Sequence, residues 1–544
     1  MPRTIALLMA LACAGAASAA FDGPAPVAWR WAESTSTSPA GSPQVDDKAA
    51  YVAVGNRIYG IDRKTGNQLW RFPSGEPLAS TLRNGCVLSG NMVVAFADDK
   101  QMYGIDASTG HKVWQTALPD PGVTNVVAAG EYLVVGTNRN DLYCYQLADG
   151  KPFWSKPYHL QSVLHPYLSV WQKNVVFSTA DSSLTMVDIV AQKQKWSRGL
   201  QRLGPGAFTV ENDRVYVNSN SYLIAFRANS GGDVWQVNAG ELLAGAPSAG
   251  PDMVATVTRS GKLMTFRGSG KAIYAKGVDL YSSIVGSPLV IGNNVVTANA
   301  SGTINMVDGQ SGELKWNFVI PPLFKGLKEA PVGGRTGGGQ NSPGGADGPG
   351  SAGGPGAAGG KGGLGGGQTG STDVKYVNAV WTPTLNGDSL FVLAGDGSML
   401  LFDKHFGVDL TAPEVKMVWP NAGDQISGQP PLEVIFKIED FGVGVDPNSI
   451  KVTISGQDFI VDPIREGYLS VKVTATGRNK PLSDGRAKFV VHVSDWLGNT
   501  VDKVFSLTVD NTLAPLGSPK KPTNTAGGFG GGGGGKGGPG AGGG

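Results

Sequence analysis

The chain has 544 residues, 81 of them glycine and 16% of them charged, and its 45 Lys and Arg against 43 Asp and Glu leave a net charge of +2. That length calls for two to four folding units rather than one. The even charge balance excludes the basic footprint of a nucleic-acid binder, and a turn-rich composition with frequent Val, Thr, Trp and Tyr argues for an all-β chain and against a helical bundle, a transporter or an α/β enzyme.

In chain order, the first segment reads MPRTIALLMALACAGAASAA. One Arg, an apolar stretch from Ile5 to about Ala16 and the small residues Ala17-Ser18-Ala19 predict a secretory signal over 1–20, too short to anchor the chain across a membrane. The rival reading ends the signal at Cys13 as a lipoprotein, but Ala10-Leu11-Ala12-Cys13 fits that pattern poorly. After the signal only Cys86 and Cys144 remain, and two buried free thiols on neighbouring strands are the expectation.

From residue 58 one unit repeats. Its copies are IYGIDRKTGNQLW (58–70), MYGIDASTGHKVW (102–114), LYCYQLADGKPFW (142–154), LTMVDIVAQKQKW (184–196), LIAFRANSGGDVW (223–235), LMTFRGSGKAIY (263–274), INMVDGQSGELKW (304–316) and MLLFDKHFGVDLT (399–411). The closing aromatics Trp70, Trp114, Trp154, Trp196, Trp235, Tyr274 and Trp316 are spaced by 44, 40, 42, 39, 39 and 42 residues. Short alternating strands with a turn signal every 8–12 residues make a meandering antiparallel sheet, and about 40 residues per four-stranded sheet is one propeller blade. A blade cannot bury its apolar faces alone, so blades pack around an axis.

Within the unit, Asp62, Asp106, Asp188, Asp308 and Asp403 precede a turn, and the natural role of such a carboxylate is to accept that turn's backbone N–H groups. The aromatic eight residues later packs between blades. Five repeated carboxylates in structural positions are not five catalytic acids. The eighth copy lacks its aromatic and ends at Thr411, whereas VAWRWAES upstream supplies Trp29 and Trp31. The N-terminal strand is therefore expected to complete the last blade and close the ring without an exposed edge.

Residues 331–373 interrupt the pattern between the seventh and eighth copies; 331–370 alone hold 20 glycines. That segment, and the tail 513–544, bury too little apolar surface to fold and are expected to be disordered. Between them, LEVIFKIED, KVTISG, LSVKVTAT, KFVVHVSD and KVFSLTVD alternate with period two and predict a β-sandwich over 412–512. Asp440, Asp446, Asp495 and Asp502 could gather at one loop end around calcium, but capping of local turns accounts for them, and no metal site is assigned. The other chemical signals dissolve on inspection. Gly354–Lys361 is followed by Gly362 rather than Ser or Thr, and His159 and His165 have neither cysteine partners nor a zinc-binding spacing. Tyr167, Trp171 and Phe324 are read as packing residues rather than a partner surface.

The strand, Asp, x-x-Thr-Gly and Trp order of GIDRKTGNQLW and GIDASTGHKVW resembles the pyrroloquinoline-quinone (PQQ) type, BamB-like propeller repeat, over about 26–320 and 374–411. The resemblance implies an eight-bladed propeller over 21–411 and one of two functional classes. Quinoprotein dehydrogenases of this kind hold PQQ and calcium on the axis against an adjacent Cys-Cys pair, and here no two cysteines adjoin. The other class is non-catalytic, and includes an outer-membrane assembly scaffold. No enzyme, PQQ or calcium is expected. The phrases D-x-G-x-G-V-D-P and S-D-x-x-G-N (in 412–511) resemble bacterial immunoglobulin-like domains. Together these imply an exported monomeric scaffold of the periplasm, outer-membrane periphery or extracellular space. It would bind a protein partner by docking on one ring face or by β-augmentation. An extracellular adhesion or glycan-binding protein is the alternative.

Overall fold

The computed structural model describes residues 21–33, 37–82, 84–211, 213–274, 276–322 and 377–516. Residues 1–20, where a signal was expected, with Cys13, the glycine-rich insertion, Phe324 and the tail beyond residue 516 lie outside the described residues. Eight four-stranded antiparallel sheets account for the repeats: blades 1 to 7 occupy 39–72, 86–117, 127–159, 164–199, 203–238, 243–279 and 284–319. Blade 8 takes its three inner strands from Ala379–Asn386, Ser389–Ala394 and Ser398–Phe402, and its outer strand from Val27–Ala32, with Trp31 opposite Met399 and Val27 opposite Phe402. Innermost strands touch in cyclic order, and blade 8 returns to blade 1, so the ring is a closed eight-bladed propeller.

Burial follows from this stacking. The second strand of a blade lies between two other blades, so both faces are covered and the sequence runs apolar without alternation: Ala49–Val54 is buried at every position. An outer strand has one face in water and alternates, as Gln68–Phe72 does. Eight of the hydrophobic clusters among the described residues sit between successive blades. Hydrophobic burial is therefore what binds blade to blade.

Beyond residue 413 the chain forms a β-sandwich. Glu414–Trp419, Leu432–Glu439 and Tyr468–Val473 make a three-stranded sheet. Five strands oppose it: Gln425–Ile426, Thr500–Val509, Gly485–Ser494, Lys451–Ile454 and Gln457–Phe459, in that order. The Gln425–Ile426 strand runs parallel to its partner, the one such pairing among the described residues. Phe436, Phe489 and Leu507 fill the space between the sheets.

The two thiols require a correction. Both are free, but Cys86 is only half-buried on the inner strand of blade 2, and Cys144 is buried on the third strand of blade 3. They are not on neighbouring strands: Cys86 starts the first strand of its blade, and Cys144 lies in the third strand of the next. Burial pushes both thiols up to about 12, so neither is a nucleophile at neutral pH.

Candidate functional site

The repeated residues build one wedge between each pair of blades. Trp70 lies between two glycines: a Cβ on Gly60 of its own blade would stand 2.4 Å from the indole, and one on Gly110 of the next blade 2.6 Å from it. Gly110 also has φ +72°, a conformation that side chains avoid. The Trp70 Nε1–H donates to the carbonyl of Ala107, the residue after Asp106. Trp114, Trp154, Trp196 and Trp235 make the same bond to Leu147, Ile189, Ala228 and Gly268, and Trp29 makes it from blade 8 to Arg63 of blade 1, all at 2.7–2.9 Å. Trp31 packs against Tyr59 with ring centroids 5.0 Å apart.

Each aspartate of the repeat is bonded to its own turn. Asp62 accepts from the backbone N–H groups of Lys64 and Thr65, and Asp106 from those of Ser108 and Thr109. Asp188 accepts from Ala191, Asp308 from Gln310 and Ser311, and Asp403 from His405 and the Ser389 hydroxyl. The Ser108 hydroxyl, with the donors of its turn, holds Asp106 below the usual carboxylate range, and Lys315 brings Asp308 down to about 2. Asp106 and Asp308, held this way, stay ionised and do not serve as general acids.

Two blades break the pattern. Blade 6 carries Tyr274 and makes no such bond; the Thr265 hydroxyl donates to Gly309 O in its place. Blade 7 has Trp316, which is fully buried, but its Nε1–H donates at 2.8 Å to Val443 of the sandwich. The cause lies at the N-terminus. To deliver the outer strand of blade 8, residues 21–26 pass beside Trp316, where Phe21 packs with centroids 5.7 Å apart. The blade 8 turn packs on Pro26 instead, with Asp403 N–H donating to Pro26 O. The sandwich loop at 442–444 then takes the position that the next blade fills elsewhere. Val27 N–H donates to Gly442 O, Trp496 Nε1–H to Asn317, and a Cβ on Gly444 would stand 2.6 Å from Asn317 O.

Three carboxylates support that loop. Asp409, Asp440 and Asp495 are all buried and bring oxygens within 4.8 Å of one another, a donor set of the hard kind that suits a divalent cation. Backbone N–H groups already account for their placement: Asp409 accepts from Thr411 and Val443, Asp440 from Gly442 and Gly444, and Asp495 from Leu497 and Asn499. Burial first, then Asp409 and Asp495, pushes Asp440 up to about 6. The four aspartates grouped from the sequence therefore divide. Asp440 and Asp495 meet here, whereas Asp446 caps the one-turn helix Pro447–Ser449 and Asp502 pairs with His492 at 2.7 Å. Asp409 was missed because it lies in the connection from blade 8, and no spacing rule ties it to residues far along the chain.

His159 pairs with Asp141 and His165 with Ser178, in separate blades. Tyr167 and Trp171 pack against the cluster between blades 4 and 5. The axis does not fit a quinone and calcium: the cysteines stand apart, and the eight innermost strands carry a single carboxylate, Glu211, at a strand end. The carboxylate cluster lies at the rim instead.

Comparison with known proteins supplies the family. A family model described as outer membrane protein assembly factor BamB matches residues 26–124, 116–223 and 219–322, together more than half the chain. Solved structures similar to this one include BamB from Moraxella catarrhalis, 14% identical, covering 69% of this chain and 98% of that one with a TM-score of 0.48. The computationally designed Ika8 protein is 13% identical, covering 68% of this chain and 98% of that one, with a TM-score of 0.49. No curated protein sequence matches. On the strength of the repeats and the family match, the chain belongs to the PQQ-like propeller-repeat family described as outer membrane protein assembly factor BamB.

Proposed function

We propose that this protein is an exported, non-catalytic scaffold of the cell envelope that binds protein partners through its propeller and serves in outer-membrane protein assembly. The observation that carries this reading is the family match over 26–322. The wedges give it a mechanism. Seven indoles bonded across blade boundaries, six of them to the next blade and one to the sandwich, make the ring stiff, and a stiff surface loses little conformational entropy when a partner docks. The same reading takes 1–20 as a removed signal, 21–411 as the propeller and 412–512 as an immunoglobulin-like domain. It takes the protein as a monomer. Among the described residues no helix is long and apolar enough to cross a membrane.

Crosslinking in intact cells, followed by co-purification, tests the proposal. Recovery of a component of the outer-membrane β-barrel assembly machinery supports it. Dye-linked alcohol oxidation by the purified chain after addition of PQQ and calcium would refute the non-catalytic reading. Retention on envelope polysaccharide, abolished by deleting residues 412–511, would replace assembly with adhesion.

A further inference from the structure

The boundary between blades 6 and 7 differs in chemistry from the others. At the boundary of blades 1 and 2, Trp70 meets Ala95 and Tyr103 in one apolar cluster. The register places Thr297 and Asn305 of blade 7 where blade 2 has Ala95 and Tyr103, and Tyr274 stands where blade 1 has Trp70. Thr265 occupies the position of Gly60. The indole is thus replaced by the smaller phenol of Tyr274, the Tyr103 ring by the amide of Asn305, and Ala95 by the hydroxyl-bearing Thr297.

Those groups are buried without partners. Thr297 and Asn305 lie directly opposite each other on adjacent strands. They share the face of Val295 and Val307, which packs on Met253, Ala255 and Val257 of blade 6. The Thr297 hydroxyl, Asn305 Nδ2, Asn299 Oδ1 and the Tyr274 hydroxyl make no hydrogen bond, and they are four of the nine such buried atoms among the described residues. At the preceding boundary the residue equivalent to Thr297 is satisfied: Thr256 donates to Asn218 Oδ1 of blade 5 at 3.0 Å. Buried polar groups are almost always paired with protein or ordered water. The four atoms offer both donors and acceptors and carry no charge, so their occupant is neutral and hydrogen-bonding.

We propose that the boundary between blades 6 and 7 is a hydrated seam, in which ordered water molecules bridge Tyr274, Thr297, Asn299 and Asn305 in place of the aromatic wedge. The seam binds water rather than ions. It is the boundary of the ring at which water takes the place of an indole beside the apolar cluster.

A crystal structure of the full chain at about 2 Å tests this. The expected result is solvent density roughly 2.7–3.2 Å from at least two of the four atoms. A dry seam, or side chains turned to pair with one another, overturns the proposal. The nearly isosteric Thr297→Val provides a second measurement, since it leaves bridging water short of a partner. The urea midpoint is expected to fall, with a loss of about fivefold or more in the folding equilibrium constant. A midpoint that rises would mean that the hydroxyl was an unsolvated burden, and would also overturn the proposal.

Discussion

Asp440→Asn isolates the electrostatics of the junction between propeller and sandwich. The folded protein moves Asp440 from 3.8 to about 6, with burial as the main cause and Asp409 and Asp495 adding to it. Because the native pKa is raised, the folded state binds this proton more tightly than the unfolded state does. The associated stability is fully present below about pH 3.8 and is lost as the pH rises to about 6, leaving a constant penalty above that. At 1.36 kcal/mol per unit the ceiling is about 3 kcal/mol. Relaxation of the surroundings and water penetration around a buried charge reduce this to about 1–2 kcal/mol. Asparagine removes the charge while its carbonyl can still accept from Gly442 and Gly444. Urea unfolding of the full chain in chelator should therefore show Asp440→Asn gaining about 1–2 kcal/mol relative to wild type on going from pH 4.5 to pH 8. An effect independent of pH, or a variant that loses ground at pH 8, would show that the three carboxylates do not repel as argued.

Other outcomes follow from the wedges and the cluster. Gly110→Ala should cost about 2–5 kcal/mol in urea unfolding, from the left-handed backbone and the collision with Trp70, whereas Gly90→Ala, which meets nothing within 4 Å, should cost only about 1–2 kcal/mol. Equal costs would remove the indole from the explanation. Trp316→Phe deprives Val443 O of its donor and should cost about 2–4 kcal/mol. It should also speed proteolysis in the exposed connection at Val408 and Leu410, and unchanged cleavage would mean that this bond does not seat the sandwich. Millimolar calcium should leave the wild-type melting temperature unchanged, since backbone N–H groups already hold the carboxylates; a rise abolished by Asp440→Asn would show that they bind the ion.

The ring and its blade number were legible because a repeat of about 40 residues writes itself eight times, and its Gly, Asp and Trp positions answer local steric demands. The sandwich was legible for a similar reason, since alternation along a strand reports one covered face. The junction was not. Trp316 looks like every other wedge tryptophan, and its acceptor is a backbone carbonyl at Val443 that leaves no mark in the side-chain sequence. Asp409 joined the cluster for a different reason: three segments far apart in the chain converge there, whereas Asp446 and Asp502 found partners close by. The seam left a faint trace that could have been read, namely Tyr274 in place of Trp, with Thr297 and Asn305 where blade 2 has Ala95 and Tyr103.

The outer strand of blade 8 is made first and used last. Val27 pairs with Phe402, 375 positions later (402 minus 27). Bringing ends that far apart together costs about 5 kcal/mol of chain entropy before any contact compensates it. During synthesis, then, Val27–Ala32 stays without its sheet partner until the chain has reached residue 402. A truncated translation product would present the same unpaired strand edge to its neighbours, an edge of the kind on which other chains pair.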